Sequence, residues 1–178
     1  MQGDHERYTE HLVREPAGLD DQDEYRRLST SAAKGVAVVT AVHRGWDHAV
    51  PVTDYLSVSY DPPTMLVSLY GLSRIAEAVS ESGRWALSLL ASDQRRVAER
   101  LSDQGGPLDG LLRTTPHQRR EEGAPAIITG ALAWFELRTV ATHEAATHLL
   151  FVGEVVAMGR SRELGGMPLV HYQSGYTR

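Results

Sequence analysis

The sequence predicts a mainly β protein, an antiparallel barrel with short flanking helices. Six or more strand-like runs dominate the chain, several of them rich in β-branched residues. These runs arrive in succession instead of alternating strictly with helices, which argues against a doubly wound parallel sheet. The helix-like stretches between them are short.

Taken in order, residues 1–22 are polar and charged, and with Pro16, Gly18 and the acidic Asp20, Asp21, Asp23 and Glu24 they read as an extended arm. Asp23 to about Ala33 is compatible with a helix whose first-turn carboxylates suit the helix dipole. The period then changes. Gly35 to Val42 is apolar and β-branched, which suits a buried strand. Val50 to Val58 reads as a second strand and Thr64 to Tyr70 as a third, with Asp61-Pro62-Pro63 interrupting them. Ser73 can cap a short helix through Ile75, Ala76, Ala78 and Val79. Trp85 to Leu90 is the next strand, and Ser92 and Asp93 open a helix with Val97, Ala98 and Leu101 on one face. Residues 104–124, with four glycines and two prolines, form a loop. Two long strands follow, Ala131 to Thr142 and Leu149 to Met158, and a last one lies near Leu169 to Gln173.

Composition narrows the function classes. With 178 residues, 42% hydrophobic and 23% charged, the chain matches one ordinary globular domain. A formal net charge of -5 gives no basic footprint for a nucleic-acid partner. No apolar run approaches the roughly 20 residues that span a membrane. The amino-terminal stretch lacks the apolar centre of a secretory signal, so a cytoplasmic location is expected. There are no cysteines, which excludes disulfides and thiolate chemistry.

Five segments together carry a resemblance. They are Gly35-Val-Ala-Val-Val-Thr-Ala41, Tyr55-Leu-Ser-Val-Ser-Tyr-Asp-Pro-Pro63, Ser82-Gly-Arg-Trp-Ala-Leu-Ser-Leu-Leu90, Gly130-Ala-Leu-Ala-Trp-Phe-Glu136 and Thr147-His-Leu-Leu-Phe-Val-Gly-Glu-Val155. In this order, from Tyr25 to Tyr176, the chain resembles the flavin reductase-like family, which includes the reductase components of two-component flavin monooxygenases. The resemblance implies a Greek-key split β-barrel over residues 23–178 that forms a homodimer. It also implies FMN (or FAD) near the subunit interface, NADH or NADPH as co-substrate, and a monooxygenase partner for the reduced flavin.

By the same resemblance, the flavin should lie along Val52, Thr53 and Asp54, with its phosphate at Ser73 and Arg74. Several residues depart from the family pattern. Pro51 removes a hydroxyl and a backbone donor, Asp54 puts a carboxylate where serine is usual, and Leu56, Leu72 and Ile75 replace polar residues. An ionised Asp54 would oppose a reduced, anionic flavin ring unless it found a donor. Ser73 and Arg74 at a helix start form a plausible anion cradle, while the plainer reading is an N-cap beside a solvated charge. His148 matches a family histidine near the nicotinamide and flavin, and could donate a hydrogen bond or a proton there. Thr147 stands where an orienting aspartate is usual. The carboxyl-terminal His171-Tyr172 reverses a family order.

Other residues read as structural. Core packing is expected for Trp85 and Trp134, and surface positions for His43, His48 and His143, none of which shows metal-ligand spacing. Trp46, in a turn, could cover a ligand.

Two functions are therefore expected. One is an NAD(P)H:flavin oxidoreductase with His148 at the hydride-transfer face. The alternative is a divergent barrel that has lost flavin reduction and binds or transforms another small molecule, with Asp54 and His148 as an acid/base pair.

Overall fold

The computed structural model describes residues 19–102, 110–161 and 166–177. Most of the amino-terminal arm lies outside these residues. In chain order the elements are α1 (Leu19–Ser29), β1 (Lys34–Gly35), β2 (Ala37–His43), β3 (Trp46–Val52), β4 (Tyr55–Tyr60) and β5 (Pro63–Tyr70). There follow α2 (Arg74–Ser82), β6 (Arg84–Leu89), a 3-10 turn (Ser92–Gln94), α3 (Arg95–Leu101), β7 (His117–Gln118) and β8 (Ile127–Ile128). The last four are β9 (Ala133–Ala145), β10 (His148–Gly159), β11 (Val170–Tyr172) and β12 (Gly175–Thr177). The chain divides after Ala32, with α1 in the first unit and every strand in the second.

Seven strands form one sheet in the order β3-β2-β6-β9-β10-β5-β4, and every pair in it is antiparallel. A three-stranded sheet, β1-β11-β12, and the pair β7-β8 complete the β structure. The protein is mainly β, as the sequence predicts.

The centre of the sheet explains the nearly continuous apolar run before Val42, in which only Thr40 is polar. Ala37, Val39 and Ala41 pack with Val67, Trp85 and Phe151, while Val36 and Val38 join a second cluster with Leu90, Ala98 and Ile128. Strand β2 is thus covered on both faces and shows no polar alternation. Helix α2 closes the first cluster with Ile75, Ala76, Ala78 and Val79, all buried. Trp85 is fully buried, and its indole N–H donates to Thr139 Oγ1 at 3.2 Å. Its ring lies over Gly153, where an added Cβ would come within 2.7 Å of Trp85 Cζ2.

Two expectations are corrected. The stretch from Val50 to Val58 is two strands, because the chain turns at Thr53–Asp54 and β4 leaves β3 to pair with β5. The first helix lies earlier than expected, at Leu19–Ser29 in place of Asp23 to Ala33. The Ser29 and Thr30 hydroxyls there donate to the carbonyls of Arg26 and Arg27.

Candidate functional site

Strands β3 and β4 are the two ends of the seven-stranded sheet and do not pair with each other. Among the described residues each therefore has one row of backbone N–H and C=O groups without a ladder partner. An edge is also where Pro51 does least harm, since a proline in a central strand would break a ladder bond. Past Asp54, whose carbonyl accepts from the Ser68 N–H at 2.9 Å, strand β5 continues without β4 beside it. A seam opens there. It forms a cleft of about 200 Å³ with Val50, Pro51 and Val52 on one wall and Ser68, Leu69 and Tyr70 on the other. The Thr53–Asp54 turn and the start of α2, with Ser73 and Ile75, complete the lining.

Four of the expected binding residues, Val52, Thr53, Asp54 and Ser73, thus line one cleft although 19 or more positions separate Ser73 from the rest. Arg74 follows Ser73 as the first residue of α2 and is not part of that lining. Ser73 is an N-cap. Its hydroxyl donates to the Tyr70 carbonyl at 2.6 Å and accepts from the Ala76 N–H at 3.3 Å. Leu56 is half exposed on β4 and does not line the cleft. Nor do Trp46, His171 and Tyr172, although His171 packs edge-to-face against Tyr176 at 5.6 Å.

Sequence reasoning missed the partner of Asp54. Lys34 Nζ lies 2.5 Å from Asp54 Oδ1, so the carboxylate at the cleft wall is charge-paired. No local pattern could have shown it, because the two residues are 20 positions apart.

His148 opens β10 opposite Tyr70, the last residue of β5, and their rings meet edge-to-face at 5.9 Å. Tyr70 lines the cleft, so His148 stands one ring away from it. Thr147, in the place of an orienting aspartate, puts its Oγ1 3.1 Å from His148 Nδ1. The same turn accepts the Gly71 N–H on the Thr147 carbonyl and places Ala146 at φ 52°, a left-handed conformation that costs an L-residue about 1–2 kcal/mol. Asp54 is engaged by Lys34 and His148 by Thr147, and no hydrogen bond joins the two.

His48 also differs from expectation. It is buried, only 7% exposed, because it shares a face of β3 with Val50 and Val52, which pack on the first cluster. Among the described residues its Nδ1 has no hydrogen-bond partner. Burial lowers its pKa from the usual 6.5, and the charges of His43 and Arg74 lower it further, against smaller opposing effects of Glu77 and Asp47.

Comparison with known proteins decides the family. Residues 29–178 match the family described as "Flavin reductase like domain". The chain belongs to the flavin reductase-like family. It is 34% identical over 152 residues to the FMN reductase (NADH) SmoA of Agrobacterium fabrum, covering 85% of this chain and 83% of that protein. The flavin reductase of styrene monooxygenase from Pseudomonas putida S12 superposes with a TM-score of 0.75 at 30% identity, over 86% of this chain and 96% of that one. The Streptomyces globisporus NADH:FAD oxidoreductase SgcE6, in complex with NAD and FAD fragments, gives 0.81 at 25% identity, over 93% and 96%.

The cleft's residues fit a flavin. The lining is mixed, with Val50, Val52, Leu69 and Ile75, which also pack in the first core cluster, beside the hydroxyl-bearing Thr53, Ser68 and Ser73. The open backbone edge of β3 supplies the neutral donors and acceptors that a ring edge needs.

Proposed function

We propose that this flavin reductase-like protein is an NAD(P)H-dependent flavin reductase that holds FMN (or FAD) in the seam cleft. The observation that carries the reading is that cleft itself. It forms where the sheet fails to close, and it gathers Val52, Thr53, Asp54 and Ser73 from separate parts of the chain. SmoA and SgcE6 use NADH, and NADH with FMN is the first pairing to test.

Flavin held there would supply the redox chemistry, as acceptor of the nicotinamide's hydride, which is the cofactors' own. The protein's part is to bind, orient and shield. The β3 edge and Thr53 would hold the polar margin of the ring, and Val50, Val52 and Ile75 would exclude water from its face. The capped start of α2, with Ser73 and Arg74, would take the phosphate, favoured by the helix dipole and by charge. His148, steadied by Thr147 and Tyr70, would stand at the open side as a hydrogen-bond donor toward the nicotinamide or the developing charge on the ring.

The protein works as a homodimer. A cleft of about 200 Å³ in one chain is below the roughly 300 Å³ at which ligand pockets begin, so a second subunit would complete the enclosure. Leu56, Val58 and Tyr60 on the end strand β4, with Val156 and Met158 on β10, are exposed apolar residues available for that contact. A flavin-dependent monooxygenase would then consume the reduced flavin, as the name of the styrene monooxygenase reductase suggests.

The test is anaerobic mixing of the purified protein with NADH and FMN. Protein-dependent bleaching of the flavin's visible absorbance is expected. Absence of bleaching with either flavin and either nicotinamide overturns the reading, and light scattering at micromolar concentration showing a monomer overturns the dimer.

A further inference from the structure

We propose that Lys34 sets the charge of the cleft wall and thereby which redox state of a bound flavin the site prefers. The inference rests on the flavin reading above and adds a residue to which that reading gives no role. Lys34 begins β1, where pairing with His171 of β11 fixes its backbone from the small sheet. Its ammonium reaches across to Asp54, which lines the cleft, whereas Lys34 itself does not. Asp54 therefore carries the charge nearer the ligand, and Lys34 cancels it from behind.

The pair contributes little to folding, since the two side chains are 37% and 59% exposed and surface ion pairs are worth about 0–1 kcal/mol. Its consequence for a charged ligand is larger. Reduction adds negative charge to the flavin ring at neutral pH. A lone carboxylate on the wall would oppose that charge, and a lone ammonium would attract it. Held together, the two leave the wall close to neutral, so the cleft can bind both redox states and release the reduced one. Each charge is thus the other's screen, and removing either should reveal the other.

The experiment measures the dissociation constants of oxidised FMN, by fluorescence quenching, and of reduced FMN, by anaerobic titration. It compares wild type, Lys34→Met, Lys34→Arg, Asp54→Asn and the Lys34→Met/Asp54→Asn double variant. In Lys34→Met the ratio of reduced to oxidised dissociation constants should rise about three- to tenfold, the effect of one uncompensated charge at a half-exposed site. The ratio should fall in Asp54→Asn, return to within about twofold of wild type in the double variant, and stay unchanged in Lys34→Arg. Raising the salt concentration should shrink both single-variant shifts.

An unchanged ratio in Lys34→Met, or shifts of the same sign in both single variants, overturns the inference while leaving flavin binding intact. Failure of the wild type to bind either form of FMN would overturn the flavin reading, and this inference with it. Lys34→Arg guards against misfolding, because it keeps the charge and must keep the ratio.

Discussion

Ser73 is both a helix cap and the proposed phosphate ligand, and one substitution can separate the two roles. Its hydroxyl accepts the Ala76 N–H, and aspartate is as good an N-cap as serine. Ser73→Asp should therefore keep α2 capped and lose only the hydroxyl's bond to the Tyr70 carbonyl, a cost of about 0.5–1.5 kcal/mol. Ser73→Ala, which loses the cap, should cost about 0.5–2 kcal/mol. In the cleft the aspartate acts differently. A flavin phosphate carries a charge of about -1.5 at neutral pH, and about 5 Å from a carboxylate the repulsion is about 1.2 kcal/mol at water's dielectric and about 2.5 at half that value. FMN binding should weaken by roughly 8- to 70-fold at these energies. Riboflavin has no phosphate and should bind both proteins alike. The assay is fluorescence quenching with FMN and riboflavin in parallel, with urea unfolding as the stability control. Equal loss for the two ligands, or no loss for FMN, would refute the placement of the phosphate at Ser73.

Two further outcomes follow from the packing and the charge cluster. Gly153→Ala should destabilise by about 1–3 kcal/mol in urea unfolding, since the new Cβ would lie 2.7 Å from Trp85 Cζ2 and 2.9 Å from Leu137 Cβ, neither of which is free to move. A variant as stable as wild type would contradict this packing. For His48 the folded-state pKa lies below the unfolded 6.5, so the unfolded chain binds the extra proton first as pH falls. Its contribution to stability is fully present above pH 6.5 and is lost below it, until the folded protein itself protonates. Stability measured from pH 8 to 5 should fall less steeply in His48→Leu than in wild type, and parallel curves would exclude His48 as a cause.

The sequence made the central strands readable because their burial leaves a local signature. The run from Val36 to Ala41 is apolar but for Thr40, whose hydroxyl donates to the Ala126 carbonyl, because both faces are covered, and Ser73 preceding Ile75 and Ala76 announces α2. The break at Thr53–Asp54 was hidden because no glycine or proline marks it. The chain turns there because β4 has its partner in β5, a tertiary cause. The place of His48 beside the Arg44–Asp47 turn points to the surface, although its spacing from Val50 and Val52 is the signal that it faces inward. At the cleft, Val52, Thr53, Asp54 and Ser73 are named by the resemblance, whereas Val50, Ser68, Leu69, Tyr70 and the ion pair leave no local signal. Lys34 and Asp54 meet only because the small sheet and the β3–β4 turn lie side by side.

The proposed flavin site is the open seam between β3 and β5. Hydrogen exchange read by mass spectrometry, with and without saturating FMN, tests it most directly. Slowed exchange concentrated in residues 50–54 and 68–76, with little change in β6 and β9, is the predicted result. Protection elsewhere in the barrel, or none at a concentration where FMN binds, would contradict the account.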